Sequence, residues 1–283
     1  MPLGPDDLVL CAGSLLEADL PTLCRAARAG GFAGITLWPD HVERARAAGH
    51  RDADLCARIA DAGLVVADLD PLLTWLPDDP VPDGFADEAT FHALAETFGA
   101  RSINAAQGFG ASLDRDRAAE AFAGVCDRAA ERGLLVTLEY LPWSGIPDAA
   151  TALDVVERAG RANGTVMVDA WHTLRGPTDE AQLRALPGAR IGSVQLSDAP
   201  AEAAADPVDE TMNARRLPGE GDAPLAEWIR ILDACGLAAP IGVEVFSQAL
   251  RALPPEDVGR RCGEAARAVL ATARAPATQG ARG

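Results

Sequence analysis

Four short stretches of this chain each run from apolar residues into an oxygen-bearing side chain. "LLVTLEY" carries Glu139, "TVMVDAW" Asp169, "IGSVQLSD" Gln195 with Asp198 behind it, and "IGVEVFS" Glu244. An unpaired buried carboxylate is very costly, so an acid at the tip of a buried strand pairs, caps a helix or holds an ion. Any one of the four reads well as a cap or an arginine partner. Together at one mouth they would crowd three carboxylates and an amide oxygen, and a cation among them relieves the repulsion. Hard divalent ions prefer oxygen ligands. With neither thiolate nor imidazole in the set Glu139, Asp169, Gln195 and Glu244, the expectation is one Mn²⁺ or Mg²⁺ ion rather than Zn²⁺, with Co²⁺ also admissible.

His172 lies three residues after Asp169. Alone, such a histidine is an ordinary loop hydrogen-bonder; beside a metal cluster it can orient a substrate oxygen without ligating the ion. A divalent ion chelated by a hydroxy-carbonyl unit polarises the carbonyl. Removal of the α-proton then needs a base, and Glu139 and Glu244 enter from the fifth and eighth strands as two candidates. Return of the proton gives isomerisation or epimerisation; expulsion of a β-hydroxyl gives dehydration. Both share the first half-reaction. Aromatic residues follow the same strand ends: Trp38, Trp75, Tyr140, Trp143, Trp171 and Phe246. They cover loop joints or, for Trp38, Trp75, Trp143 and Trp171, make a stacking surface for a ring-shaped substrate.

These residues need elements that bring strand ends together. Eight short apolar runs, at 8–14, 34–39, 64–70, 101–107, 134–140, 165–171, 191–198 and 241–247, alternate with amphipathic Ala/Arg/Glu-rich stretches, several of which end in Gly. Eight strand–helix units in 283 residues predict an α/β fold, a single-domain (β/α)8 TIM barrel over 1–274, with a disordered tail at 275–283. A doubly wound nucleotide-binding sheet is disfavoured, because no GxGxxG follows the first strand. In a barrel the loops after the strands surround the active site. The loops at 76–84 and 199–222 are the long ones.

Composition narrows the partners. The formal charge is −17, and lysine is absent. Nucleic acid and anionic membranes are therefore poor partners, and Schiff-base chemistry on lysine is excluded. A small-molecule substrate is expected, neutral or weakly charged, and a homo-oligomer is compatible with the sequence. The "PGEGD" turn could still offer backbone N–H groups to an anion. Six scattered cysteines without a CxxC pair read as reduced thiols. No secretory leader or membrane-spanning run is recognisable, so a cytoplasmic location is expected.

"VTLEYLPW", "VMVDAWHTLRG", "SVQLSDAP", "RRLPGEGDAPLAEWIRIL" and "IGVEVFS" resemble the xylose isomerase-like barrel superfamily of sugar phosphate isomerases and epimerases. The resemblance implies one divalent metal on Glu139, Asp169, Gln195 and Glu244. It makes His172 the histidine of the DxxH motif and Arg215 a substrate contact, with Arg216 the neighbouring alternative. Gln195 stands where the epimerases usually carry His, and with "LSDAP" and the Arg…PGxGD segment this is similar to the 3-dehydroshikimate dehydratase branch. The first half, "DLDPLLTWLP", lacks the His and basic residues expected of that branch. The leading expectation is thus a metal-dependent isomerase or epimerase of a sugar or hydroxy-ketone; the alternative is a lyase acting on a cyclic β-hydroxy ketone. A ligand-binding barrel without chemistry would have no need of all these oxygens. A DNA-repair endonuclease would need a His-rich metal cluster, and this chain has four histidines.

Overall fold

The computed structural model describes residues 3–276. Its eight parallel strands close into one barrel in sequence order: β1 (Leu8–Leu10), β2 (Gly34–Leu37), β3 (Val65–Leu72), β4 (Ser102–Ala106), β5 (Leu135–Glu139), β6 (Gly164–Asp169), β7 (Ile191–Leu196) and β8 (Ile241–Val243). Every strand expected from an apolar run is present. The runs at both ends of the chain overshoot: after β1 the chain turns into a 3-10 turn, Ala12–Leu15, and β8 stops just before Glu244. The Glu244 N–H still donates to Leu196 O at 3.0 Å, which continues the ladder. The tail expected at 275–283 lies, from residue 277 onward, outside the described residues.

The helices begin where an aspartate can take a free N–H. Asp19, Asp87 and Asp148 accept from Thr22, Thr90 and Thr151, each three residues on. Apolar faces of the helices pack on the outer strand faces and form one continuous core. Closure depends on small residues between the first helix, Leu20–Gly30, and the last, Pro255–Arg274. A Cβ on Gly259 would stand 2.0 Å from Ala26 O, and one on Gly30 2.2 Å from Gly259 O. The two backbones therefore touch, and any side chain there would push the first and last units apart.

Two of the βα connections shape the mouth. The segment after β3 runs to the helix Glu88–Phe98. The segment after β7 is not an open loop: it contains the helix Pro207–Asn213 and is stitched to the barrel by antiparallel bridges, Asp198 to Arg216 and Ala214 to Ser247. All six cysteines are free. Among the described residues no helix is long and apolar enough to cross a membrane.

Candidate active site

A cavity of about 1000 Å³ is lined by Asp70, Glu139, His172, Arg215 and Glu244 among others, while Asp169 and Gln195, at the ends of β6 and β7, are buried and lie outside its lining. Asp169 ends β6 fully buried. It caps the helix Ala170–Arg175, its Oδ1 accepting the His172 N–H at 2.8 Å. The Asp–x–x–His spacing thus follows from a helix N-cap, which fixes where the imidazole starts. The other oxygen, Oδ2, accepts from Arg215 Nη1 at 3.1 Å. His172 Nε2 lies 3.3 Å from Glu139 Oε1. Ligand atoms of Glu139, Asp169 and His172 all fall within 4.8 Å of one another. Glu244 stands outside that trio, 3.7 Å from Arg215 Nη1.

Gln195 joins the two halves. It pairs in register with Asp169 on β6, and its amide oxygen is turned toward acceptors only. With the amide turned over, its N–H would donate to Asp169 Oδ2 and Glu244 Oε2, each at 3.2 Å. An oxygen among carboxylate oxygens suits a cation; a nitrogen there suits a metal-free hydrogen-bonded cluster.

Arg215 sits in this cluster because its segment is extended. Its N–H donates to Phe246 O at 3.0 Å, while Arg216 pairs with Asp198. Alternate side chains of an extended chain face opposite ways, so Arg215 is 3% exposed and Arg216 faces solvent. The guanidinium carbon lies 5.2 Å from the Trp171 ring and 4.8 Å from the Phe246 ring, between two π-faces that favour a cation.

Two residues of the floor escaped the sequence reading. Asn104, on β4, donates from one Nδ2 to Asp70 Oδ1 and to Glu139 Oε2, both at 2.8 Å, and accepts from Thr137 through its Oδ1. Asp70, on β3, thereby becomes a fourth acid of the floor. The signal was available: in "LVVADLD" Asp68 and Asp70 stand two apart in an apolar run, hence on one strand face, as the barrel requires. Asp68 lies buried with Ser102, Ser193 and Arg101.

The electrostatics are lopsided. Burial, then the charge of Glu139, pushes the Asp70 carboxyl up to about 8, against the Asn104 hydrogen bond that lowers it. Burial and the charge of Asp70 hold Glu244 well above the usual carboxylate range, with Arg215 pulling the other way. Glu244 Oε1 is buried without a hydrogen-bond partner. Four buried acids face one arginine, and an oxygen-rich floor of this kind would fit a divalent cation; the ligand atoms that lie close enough together to share one are those of Glu139, Asp169 and His172.

The aromatic expectations divide. Trp38 and Trp143 line the cavity. Trp75 does not: its indole N–H donates to Ala106 O at 3.0 Å and its ring, 5% exposed, packs edge-on to Phe122 in the core. Trp171, 1% exposed, lies behind the wall as a support for His172 and Arg215. Asp198 is likewise structural, accepting the N–H groups of Ala199, Gly219 and Ala223. The "PGEGD" turn gives one N–H, that of Gly219, to that carboxylate and borders a different cavity.

Comparison with known proteins agrees with this architecture. The family described as "Xylose isomerase-like TIM barrel" matches residues 24–265. A 3-dehydroshikimate dehydratase of Pseudomonas aeruginosa is 36% identical over 131 residues, 46% of this chain and 20% of that protein. The same-named protein of Pseudomonas putida is 30% identical over 129 residues, 45% of this chain and 20% of that protein. The aligned part thus spans about a fifth of these curated relatives. Among solved structures, the IOLI protein with a bound zinc atom superposes with a TM-score of 0.82 at 16% identity, covering 95% of this chain and 100% of that one. An L-ribulose 3-epimerase gives 0.70 at 20% identity, covering 94% and 95%. At these identities the likeness is one of fold.

Proposed function

Because the chain belongs to the xylose isomerase-like TIM-barrel family, we propose that it is a divalent-metal-dependent isomerase or epimerase of a sugar or hydroxy-ketone. The reaction starts with removal of a proton next to the carbonyl. The observation that carries this reading is the pair of buried carboxylates, Glu139 and Glu244, which face one cavity from β5 and from the end of β8. Glu139, Asp169, Gln195 and Glu244 would hold the ion, with His172 beside it. A bound divalent ion supplies Lewis-acid polarisation of the substrate carbonyl.

The chain's own groups do the rest. Asn104 and His172 hold Glu139 from two sides, which fixes its oxygens for proton transfer. The Glu244 Oε1 atom, without a hydrogen-bond partner, is placed to give or take the second proton. The His172 Nε2–H, which faces Glu139 Oε1 in the free protein, would be released to a substrate oxygen once Glu139 serves the ion, and Arg215 balances charge at Asp169 and Glu244. Two carboxyls acting in turn are what exchange of configuration at one carbon needs.

The dehydratase reading is favoured by one observation, the sequence likeness to two 3-dehydroshikimate dehydratases. It shares the proton abstraction and diverges when a β-hydroxyl leaves. Incubating Mn²⁺-loaded protein with ketose sugars and cyclic hydroxy-ketones in D₂O separates the two. Deuterium at the α-carbon of an intact skeleton supports isomerisation; a growing enone absorbance supports the lyase. Absence of both across the panel refutes the proposal. Gln195→His adds a second arm: a metallated, active variant supports the epimerase, whereas a metallated, inactive one supports the lyase, in which the amide N–H serves the leaving hydroxyl.

A further inference from the structure

The proposed reaction uses only the floor of the cavity, and the walls above it are of different character. The exposed large apolar side chains among the described residues are Phe85, Phe109, Trp143 and Val208, at 45%, 42%, 43% and 71% exposure, and all four line this one cavity. They come from separate βα segments, after β3, β4, β5 and β7. The Phe85 and Phe109 rings meet edge-on with centroids 5.2 Å apart. Below them Leu73, Ala106 and Leu141 form a small apolar cluster of their own, so an apolar throat joins the rim to the acids. Apolar surface concentrated in one concave place marks a contact site.

The cavity offers little to an anion. Six acidic side chains and two arginines line it. Arg215 is committed to Asp169 and to Thr211 O, and Arg44 donates to the carbonyls of Leu16 and Ala18. The volume, about 1000 Å³, lies at the upper end of the roughly 300–1,000 Å³ of pockets that enclose drug-sized ligands. A lone monosaccharide would leave most of it to water.

We infer that the substrate is an uncharged, amphipathic molecule whose hydroxy-carbonyl head reaches the acidic floor and whose aryl group is covered by Phe85, Phe109 and Trp143. The head rests on the proposed reaction, the aryl group on the rim, and the lack of charge on the acids that line the cavity and its two committed arginines. Three matched probes test this by calorimetry on the Mg²⁺-loaded protein: hydroxyacetone, α-hydroxyacetophenone and dihydroxyacetone phosphate. Replacing the methyl by phenyl should tighten binding at least about tenfold, as burial of that much apolar surface implies, and the phosphate should bind no better than hydroxyacetone. The double variant F85A/F109A should bring the aryl preference to within about threefold. Both phenylalanines are loop residues, and a thermal unfolding curve verifies that the variant is folded; Trp143→Ala gives an independent reading of the same rim. Equal binding of the aryl and methyl probes, tightest binding of the phosphate, or a preference that survives in both variants overturns the inference. So does a dimer of the free protein that dissociates in F85A/F109A, since the rim would then be an interface between two copies. Proton exchange at the carbinol carbon in D₂O reports the floor separately. An aryl preference without exchange refutes the reaction and supports the rim; exchange without the preference does the reverse.

Discussion

Replacing Asp70 by asparagine should stabilise the metal-free protein at pH 8 and change it little near pH 4. Asparagine keeps the shape of the side chain and the acceptor for Asn104 Nδ2, and removes the charge that burial and Glu139 oppose. The folded protein holds the Asp70 proton up to about 8, against an ordinary 3.8. A carboxyl raised on folding contributes stability that is full below its unfolded pKa and is lost as pH climbs to the folded one. Between pH 5 and pH 8 that loss is on the order of 3–4 kcal/mol if nothing relaxes. Urea unfolding of wild type and Asp70→Asn with a chelator, at pH 4, 5 and 8, measures it directly. The advantage of the variant should grow from pH 5 to pH 8 by about 2–4 kcal/mol, the lower figure allowing for relaxation around the charge. A difference between the two proteins that is independent of pH, or a variant less stable at pH 8, would refute the reasoning.

Arg215→Gln removes the guanidinium that pairs with buried Asp169 at 3.1 Å and should cost the metal-free protein about 3–5 kcal/mol, read by denaturant unfolding; a loss below about 1 kcal/mol would refute the pair as a buried ion pair. His172→Gln should leave bound metal, measured by elemental analysis, nearly unchanged while lowering turnover by roughly one to three orders of magnitude; a metal-depleted variant would put His172 among the ligands, as its place beside Glu139 and Asp169 allows. Trp75→Ala should behave as a core truncation, with stability down by about 3–5 kcal/mol, and a KM effect without a stability effect would return Trp75 to the cavity wall.

The barrel was legible because buried parallel strands must be short, apolar and alternate with helices, and each of the eight runs satisfied that local rule. The candidate site was legible where an oxygen-bearing side chain interrupts such a run: Glu139 and Asp169 end their strands, Gln195 is the last residue but one of β7, and Glu244 follows β8 by one residue. The same rule applied to β3 would have found Asp70. Asn104 was harder, because an amide within "RSINAAQ" carries no charge to betray it, and its value lies in bridging Asp70 and Glu139 across three strands. Trp75 and Trp171 misled because a strand-end position says where a residue starts but not which way its side chain turns. Trp171, one position before His172 on the same short helix, necessarily faces elsewhere. Arg215 and Arg216 show the converse, since the pairing of one with Asp198 decides the direction of both.

The excess of acid in the floor is the property that ties fold to chemistry. Asp70, Glu139, Asp169 and Glu244 are all buried, and among the described residues Arg215 is the one guanidinium that touches the group. A chain selected only for stability would replace such acids, since apolar substitutes for buried charges are often neutral or better. Their presence together fits a floor whose surplus charge a divalent ion would neutralise and a substrate would use. A substrate that brought its own negative charge would undo that balance. An uncharged head over the acids, with an apolar remainder against Phe85, Phe109 and Trp143, leaves the ion's charge to act on the carbonyl, and it accounts for both the acidity of the floor and the bareness of the rim.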